Sequence, residues 1–181
     1  MTVKSQSPHS LIAMKGHPAT GKSSLAQALA RTLGWPLLDK DDVKDHTLSL
    51  PDGNRLAYTI LWQLLERQLA LGLSVIVDSP LSYPRDYATV CALAKRYDVR
   101  LLVVETQLEE ATWRARLEAR PAHESTHKIR GWQAMQAQLQ LYNDCWRYPI
   151  QPEYHLPVDS SRPLTENIHL IKQSILNDFA I

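Results

Sequence analysis

Gly16-His17-Pro18-Ala19-Thr20-Gly21-Lys22-Ser23 fits the spacing G-x-x-x-x-G-K-[ST]. The residue types follow from what a phosphate group needs. Glycines at both ends let a loop wrap so that backbone N–H groups point inward at phosphate oxygens. A helix opening near Gly21 adds the positive end of its dipole. Lys22 reaches the β- and γ-phosphates, and the Ser23 hydroxyl is a ligand for Mg²⁺. A chance Gly-Lys-Ser turn would not explain the context: an apolar run, Leu11-Ile12-Ala13-Met14, enters the loop, and a helical pattern leaves it. With Ser24, residues 16–24 form the candidate nucleotide-binding stretch.

Three carboxylates follow a second apolar run, in Leu37-Leu38-Asp39-Lys40-Asp41-Asp42-Val43-Lys44. In an open parallel sheet, loops at the carboxyl ends of strands line the ligand crevice, which brings these residues to the edge that holds Lys22. A carboxylate there accepts a proton from an acceptor hydroxyl or holds a Mg²⁺ water. The plainer reading is that Asp41 or Asp42 is the N-cap or a first-turn residue of the next helix, favoured by its dipole. One of the three is expected to cap and another to act. Asp78 closes the run Val75-Ile76-Val77 ahead of Ser79-Pro80. It is a candidate for orienting Mg²⁺ or for binding the acceptor, the plainer alternative being a turn residue before proline.

Arg116 and Arg120 stand four apart in Trp113-Arg114-Ala115-Arg116-Leu117-Glu118-Ala119-Arg120, hence on one face of a helix. Two cations so placed can clamp a migrating phosphoryl group. The polar stretch after them, about 120–131, carries His123, His127, Lys128 and Arg130 and suits a lid that excludes water. A solvated helix face is the bland explanation; the upstream loop and carboxylates favour the lid. His123 and His127 lack a third ligand, so zinc is not expected. The five tryptophans fall mostly in helical stretches and are read as packing residues.

These groups need a scaffold, and the pattern supplies one. Apolar runs at 11–14, 36–38, 74–78, 100–105 and 155–159 alternate with helical periodicity at 23–33, 42–48, 54–71, 84–97, 108–120, 132–146 and 164–179. Asn54 is placed as the cap of the long third helix, and Gly34 and Gly72 as stops. Five strands separated by helices imply a three-layer parallel α/β sheet, with strands one, three and four apolar throughout because both faces are buried. A tail, 1–10, precedes one domain, 11–181. The 181 residues carry 20 Lys+Arg against 19 Asp+Glu, and this balance argues against a dedicated nucleic-acid binder. Apolar residues make up 44%, enough for a core. Two cysteines make neither a disulfide framework nor a zinc set. No run spans a bilayer and Met1–Ser10 is no hydrophobic leader, so a soluble, cytoplasmic protein is expected.

In their order and spacing, Gly16–Ser23, Asp39–Lys44, Val75–Pro84 and Arg116–Arg120 resemble the P-loop small-molecule kinases of the nucleoside-monophosphate-kinase type. The likeness covers 11 to about 165 and is nearest to the kinase domain of bacteriophage polynucleotide kinase and to zeta-toxin-like and chloramphenicol-phosphotransferase-like kinases. Shikimate and gluconate kinases are more distant. The resemblance implies a P-loop NTPase fold, with Lys22 and Ser23 holding ATP and Mg²⁺. It implies that Asp41 is the base, Asp39 lies near the metal and Lys44 touches the substrate. By the same likeness Asp78 orients the acceptor or Arg116, and Arg116 and Arg120 touch nucleotide phosphates. The segment from Val158 through Arg162 to Pro163 resembles a loop that packs on the adenine ring. Pro80 stands where the polynucleotide kinase has a polar residue, and the glycine run and substrate arginines of shikimate kinase are missing.

The resulting expectation is an ATP- and Mg²⁺-dependent kinase of a small-molecule hydroxyl, monomeric or homodimeric, with Lys44, Arg55, Tyr58 and Tyr83 as candidate acceptor contacts. Its rivals are a nucleoside or polynucleotide 5′-hydroxyl kinase, with salt-dependent acceptor binding, and a nucleotide-binding regulatory module or slow ATPase. No guanine-recognition Asn-Lys-x-Asp occurs, and a ring-forming mechanical ATPase would need a helical second domain.

Overall fold

The computed structural model describes residues 9–121 and 128–177. Its strands are β1 (Ser10–Lys15), β2 (Leu37–Asp39), β3 (Val75–Asp78), β4 (Arg100–Gln107) and β5 (His155–Asp159). They form one sheet in the order β2-β3-β1-β4-β5, and every pairing is parallel. The helices are α1 (Lys22–Leu33), α2 (Lys40–Thr47), α3 (Gly53–Ala70), α4 (Pro84–Arg96), α5 (Glu110–Glu118), α6 (Trp132–Tyr142) and α7 (Leu164–Asn177). A single 3₁₀ turn, Pro152–Tyr154, absent from the sequence reading, leads into β5.

Side-chain alternation along the strands fills two cores. Leu11, Ala13, Val75, Val77, Leu101 and Val103 point to one face and pack with Leu61 and Leu65 of α3 and Val90 and Leu93 of α4. Ile12, Met14, Ile76, Leu102 and Val104 point to the other and pack with Leu25 and Leu29 of α1 and Ile171 and Ile175 of α7. Both faces of β1 are covered, which is why its sequence is apolar without a break. No helix of the described residues is long and apolar enough to cross a membrane.

Some boundaries differ from the sequence reading, each for a local reason. The third helix starts at Gly53, with Asp52 (φ 56°) at the cap rather than Asn54. Gly53 is buried where α3 turns against α2: a Cβ there would lie 1.9 Å from the Thr47 carbonyl oxygen. The helix expected over 132–146 ends at Tyr142, because Asn143 (φ 45°) and Asp144 (φ 57°) are both left-handed and break it. The helix expected through Arg120 ends at Glu118.

At the carboxyl end of β1, Lys15 pairs with Glu105 of β4, and His155 of β5 lies 2.8 Å from the same carboxylate. Burial by itself would raise the Glu105 carboxyl, but the Lys15 hydrogen bond and charge, helped by His155, hold it below its usual 4.5. A carboxylate lowered in the folded state contributes stability above its unfolded value, and that contribution is lost as pH falls through the folded one. Two outcomes are expected in denaturant unfolding. Acidification below pH 4.5 lowers the midpoint of the wild type more steeply than that of Glu105→Gln. Gly53→Ala destabilises the fold by about 2 kcal/mol, the range of an overpacked core site.

Candidate active site

The parallel register brings the strand ends to one level. Met14 of β1 and Asp39 of β2 both lie beside Asp78 of β3. The phosphate loop leaves β1 at that level and crosses the end of β4 so closely that a Cβ on Gly16 (φ 150°) would lie 2.2 Å from Thr106 Oγ1. No side chain fits there, so the first glycine of the motif is required by packing as well as by conformation. Thr20 faces into the protein, donating to the His17 carbonyl oxygen at 2.8 Å and lying 2.7 Å from Thr106 Oγ1. Gly21, at φ 86°, opens α1 and places Lys22 and Ser23 at the mouth.

A cavity of about 750 Å³ opens above this edge. It is lined by Gly16, His17, Pro18, Ala19, Gly21, Lys22, Ser23 and Ser24, by Arg116 and Arg120, and by Asp39, Lys40, Asp41, Lys44, Asn54, Tyr58, Asp78 and Tyr83. The stretch expected as a lid falls partly outside the described residues, as do His123 and His127. Its described ends, Arg120, Pro121, Lys128 and Ile129, line the cavity. Arg120 donates to the Ile129 carbonyl oxygen at 3.0 Å, and Arg116 to that of Ser160 at 2.9 Å. Arg120 lies beyond the helix, so the two arginines converge on the cavity without sharing a helix face.

Lys22 Nζ donates to Asp78, whose side chain is 1% exposed. The other oxygen of Asp78 is buried without a partner. Asp39 caps α2 by accepting from the Asp41 N–H at 2.9 Å. Burial, with the nearby charge of Asp78, raises the Asp39 carboxyl to about 6, against the pull of that N–H. A buried carboxylate, a half-buried one at the same level and a serine hydroxyl are hard oxygen donors of the kind Mg²⁺ takes, and the unpartnered Asp78 oxygen is a place for it or for its water. Among the described residues no cluster of three His, Cys, Asp or Glu groups is poised to hold a metal.

Asp41 Oδ1 sits 3.1 Å from Lys40 Nζ, which is buried over the Tyr58 ring at 5.6 Å. Burial, and the charge of Lys40, lower the Lys44 ammonium. Arg55 and Arg162 stand apart. Arg55 is exposed and bound to Asp52 at 3.0 Å, and Arg162 is exposed at 3.8 Å from Asp159. In the loop after β5 it is Ser160 that approaches Gly21, at 3.7 Å from its ideal Cβ.

Several lining groups escaped the sequence reading. Lys40 adjoins the acidic cluster but belongs to no motif that would single it out. Asn54 of α3, Gln138 and Tyr142 of α6, and the buried Ser79 and Ser82 of the loop after β3 share no spacing that would unite them. Trp113 and Trp146 do pack, as expected, but against His17 of the phosphate loop.

A family model described as an AAA domain matches residues 11–142. No curated protein matches the chain. Among solved structures, the chain is similar to a suspected kinase from Chloroflexus aurantiacus j-10-fl at 26% identity and TM-score 0.72, covering 93% of this chain and 99% of that one. A gluconokinase from Sinorhizobium meliloti 1021 aligns at 21% identity and TM-score 0.63, over 95% and 94% of the two chains. The APS kinase of Mycobacterium tuberculosis, solved with AMPPNP and APS, aligns at 16% and 0.66, over 94% and 99%. With its phosphate loop at the carboxyl edge of a parallel sheet in the order 2-3-1-4-5, the chain belongs to this AAA-domain family and has the fold of the P-loop small-molecule kinases.

Proposed function

We propose that the protein is an ATP- and Mg²⁺-dependent phosphotransferase that moves the γ-phosphate to a hydroxyl of a small molecule. One observation carries this reading: the phosphate loop and the carboxylates of β2 and α2 open onto the same cavity of about 750 Å³. That volume is in the range of small-ligand sites. The likeness to a suspected kinase and to a gluconokinase supports the same class.

The residues divide the work as follows. Loop N–H groups and Lys22 bind the β- and γ-phosphates, Lys22 exchanging Asp78 for phosphate oxygens. Ser23 holds Mg²⁺, with Asp39 and Asp78 acting directly or through water. The ion supplies neutralisation of charge on the phosphate oxygens. Asp41 accepts the proton of the acceptor hydroxyl. The acceptor oxygen bonds to the γ-phosphorus as the bond to the β–γ bridging oxygen breaks, and ADP leaves. Arg116 and Arg120 neutralise the transferring group. Lys44, Tyr58 and Tyr83 contact the acceptor. Lys44 lines the cavity among the charges of Lys40, Asp41 and Asp45, and its ammonium is the group offered to a polar or anionic substituent.

The test is transfer from γ-labelled ATP and Mg²⁺ into a pooled panel of metabolites and nucleosides. A labelled organic product is expected from the wild type. Lys22→Ala abolishes it while the circular dichroism of the fold persists. Asp41→Asn lowers kcat by about 10²- to 10⁴-fold, the usual contribution of a general base, with ATP binding retained. Label found only in inorganic phosphate, at a rate indifferent to Asp41→Asn, would replace this reading with a slow ATPase or regulatory module.

A further inference from the structure

Trp113 of α5 packs against the phosphate loop and lines a second cavity of about 300 Å³, which shares Gly16, His17, Pro80 and Ser82 with the first. It touches the loop twice. Its indole N–H donates to the Pro18 carbonyl oxygen at 2.7 Å, and its ring stacks on His17 with centroids 5.1 Å apart. Trp146 meets the same imidazole edge-on at 4.4 Å, and Trp132 braces Trp113 at 5.2 Å. Burial, with the charge of Lys15, holds His17 down to about 4, so it enters this stack as a neutral ring.

The loop needs such support. Ala19 has φ 64°, a left-handed conformation that a residue with a Cβ avoids. Strained backbone of this kind persists only where its surroundings over-determine it. The carbonyl that Trp113 holds belongs to the peptide joining Pro18 to Ala19, so the anchor acts directly on the strained residue.

We propose that Trp113 is a positioning residue of the nucleotide site: it fixes the Pro18–Ala19 peptide so that the loop is already shaped for phosphate before a nucleotide arrives. The proposal rests on the nucleotide-binding part of the reading above and not on the acceptor. Preorganisation of this kind raises affinity by removing the cost of ordering the loop on binding.

The experiment is calorimetric titration of the full chain with ATP and Mg²⁺. Trp113→Phe keeps a ring against His17 and removes the N–H donor. It is expected to weaken ATP binding about fivefold, the effect of one neutral hydrogen bond. In an Ala19→Gly background, where φ 64° carries no penalty, the same substitution is expected to weaken binding less than twofold. A residue that merely supports the fold would lower the thermal midpoint in both backgrounds without that difference in affinity. Equal affinity for Trp113→Phe and the wild type, or an equal loss in both backgrounds, would overturn the role of Trp113. Failure of the unaltered chain to bind ATP would overturn the nucleotide reading, and this proposal with it.

Discussion

The ion pair between Lys22 and Asp78 ties the first residue of α1 to the last residue of β3 across a nearly dry edge. A buried charge pair is costly to break from one side, because the remaining charge is left uncompensated. Here the pair joins three things at once: the phosphate loop, the sheet register and the approach to the acceptor side. The β1–β3 register sets Met14 beside Asp78, and the loop must then return far enough for Lys22 to reach back. Glycine at position 16 makes that return possible by letting the chain run against Thr106.

The same register crowds carboxylates. β2 and β3 both end in aspartate, and parallel pairing sets Asp39 beside Asp78. Neither can be fully solvated, and each disfavours the charge of the other. The fold tolerates this through the helix cap on Asp39 and the lysine on Asp78. On the proposed reading, arriving phosphates would compete with Asp78 for the Lys22 ammonium, and a divalent cation would compensate the carboxylates that the lysine leaves behind.

Much of this was legible in the chain because it depends on local pattern. The alternation of strands and helices, the loop motif and the carboxyl-edge placement of Asp39, Asp41 and Asp78 all follow from short-range signals. The reading of the three aspartates as one cap and one acting group is resolved for the cap, which is Asp39. Elsewhere tertiary packing decided. Nothing local announces that Asn143 and Asp144 both turn left-handed, so the sixth helix looked longer than it is. Arg55 carried the right charge but falls on the outer face of α3, where Asp52 holds it. The tryptophans were correctly taken as packing residues, yet their partner, a histidine within the phosphate loop, is set by the fold and not by spacing.

Tyr142 closes α6 at a junction of two territories. Its ring lies 6.4 Å from His17 and 5.7 Å from Tyr83, so one side chain borders both the phosphate loop and the wall opposite. A lineage that altered its acceptor by changing this residue would disturb its donor site in the same step. The wall formed by Lys44 and Asn54, on α2 and α3, is under no such double constraint. On the proposed reading, selection for a new acceptor would be freest along the α2–α3 corner, and at the α6 end of the cavity substrate choice and nucleotide use would drift together.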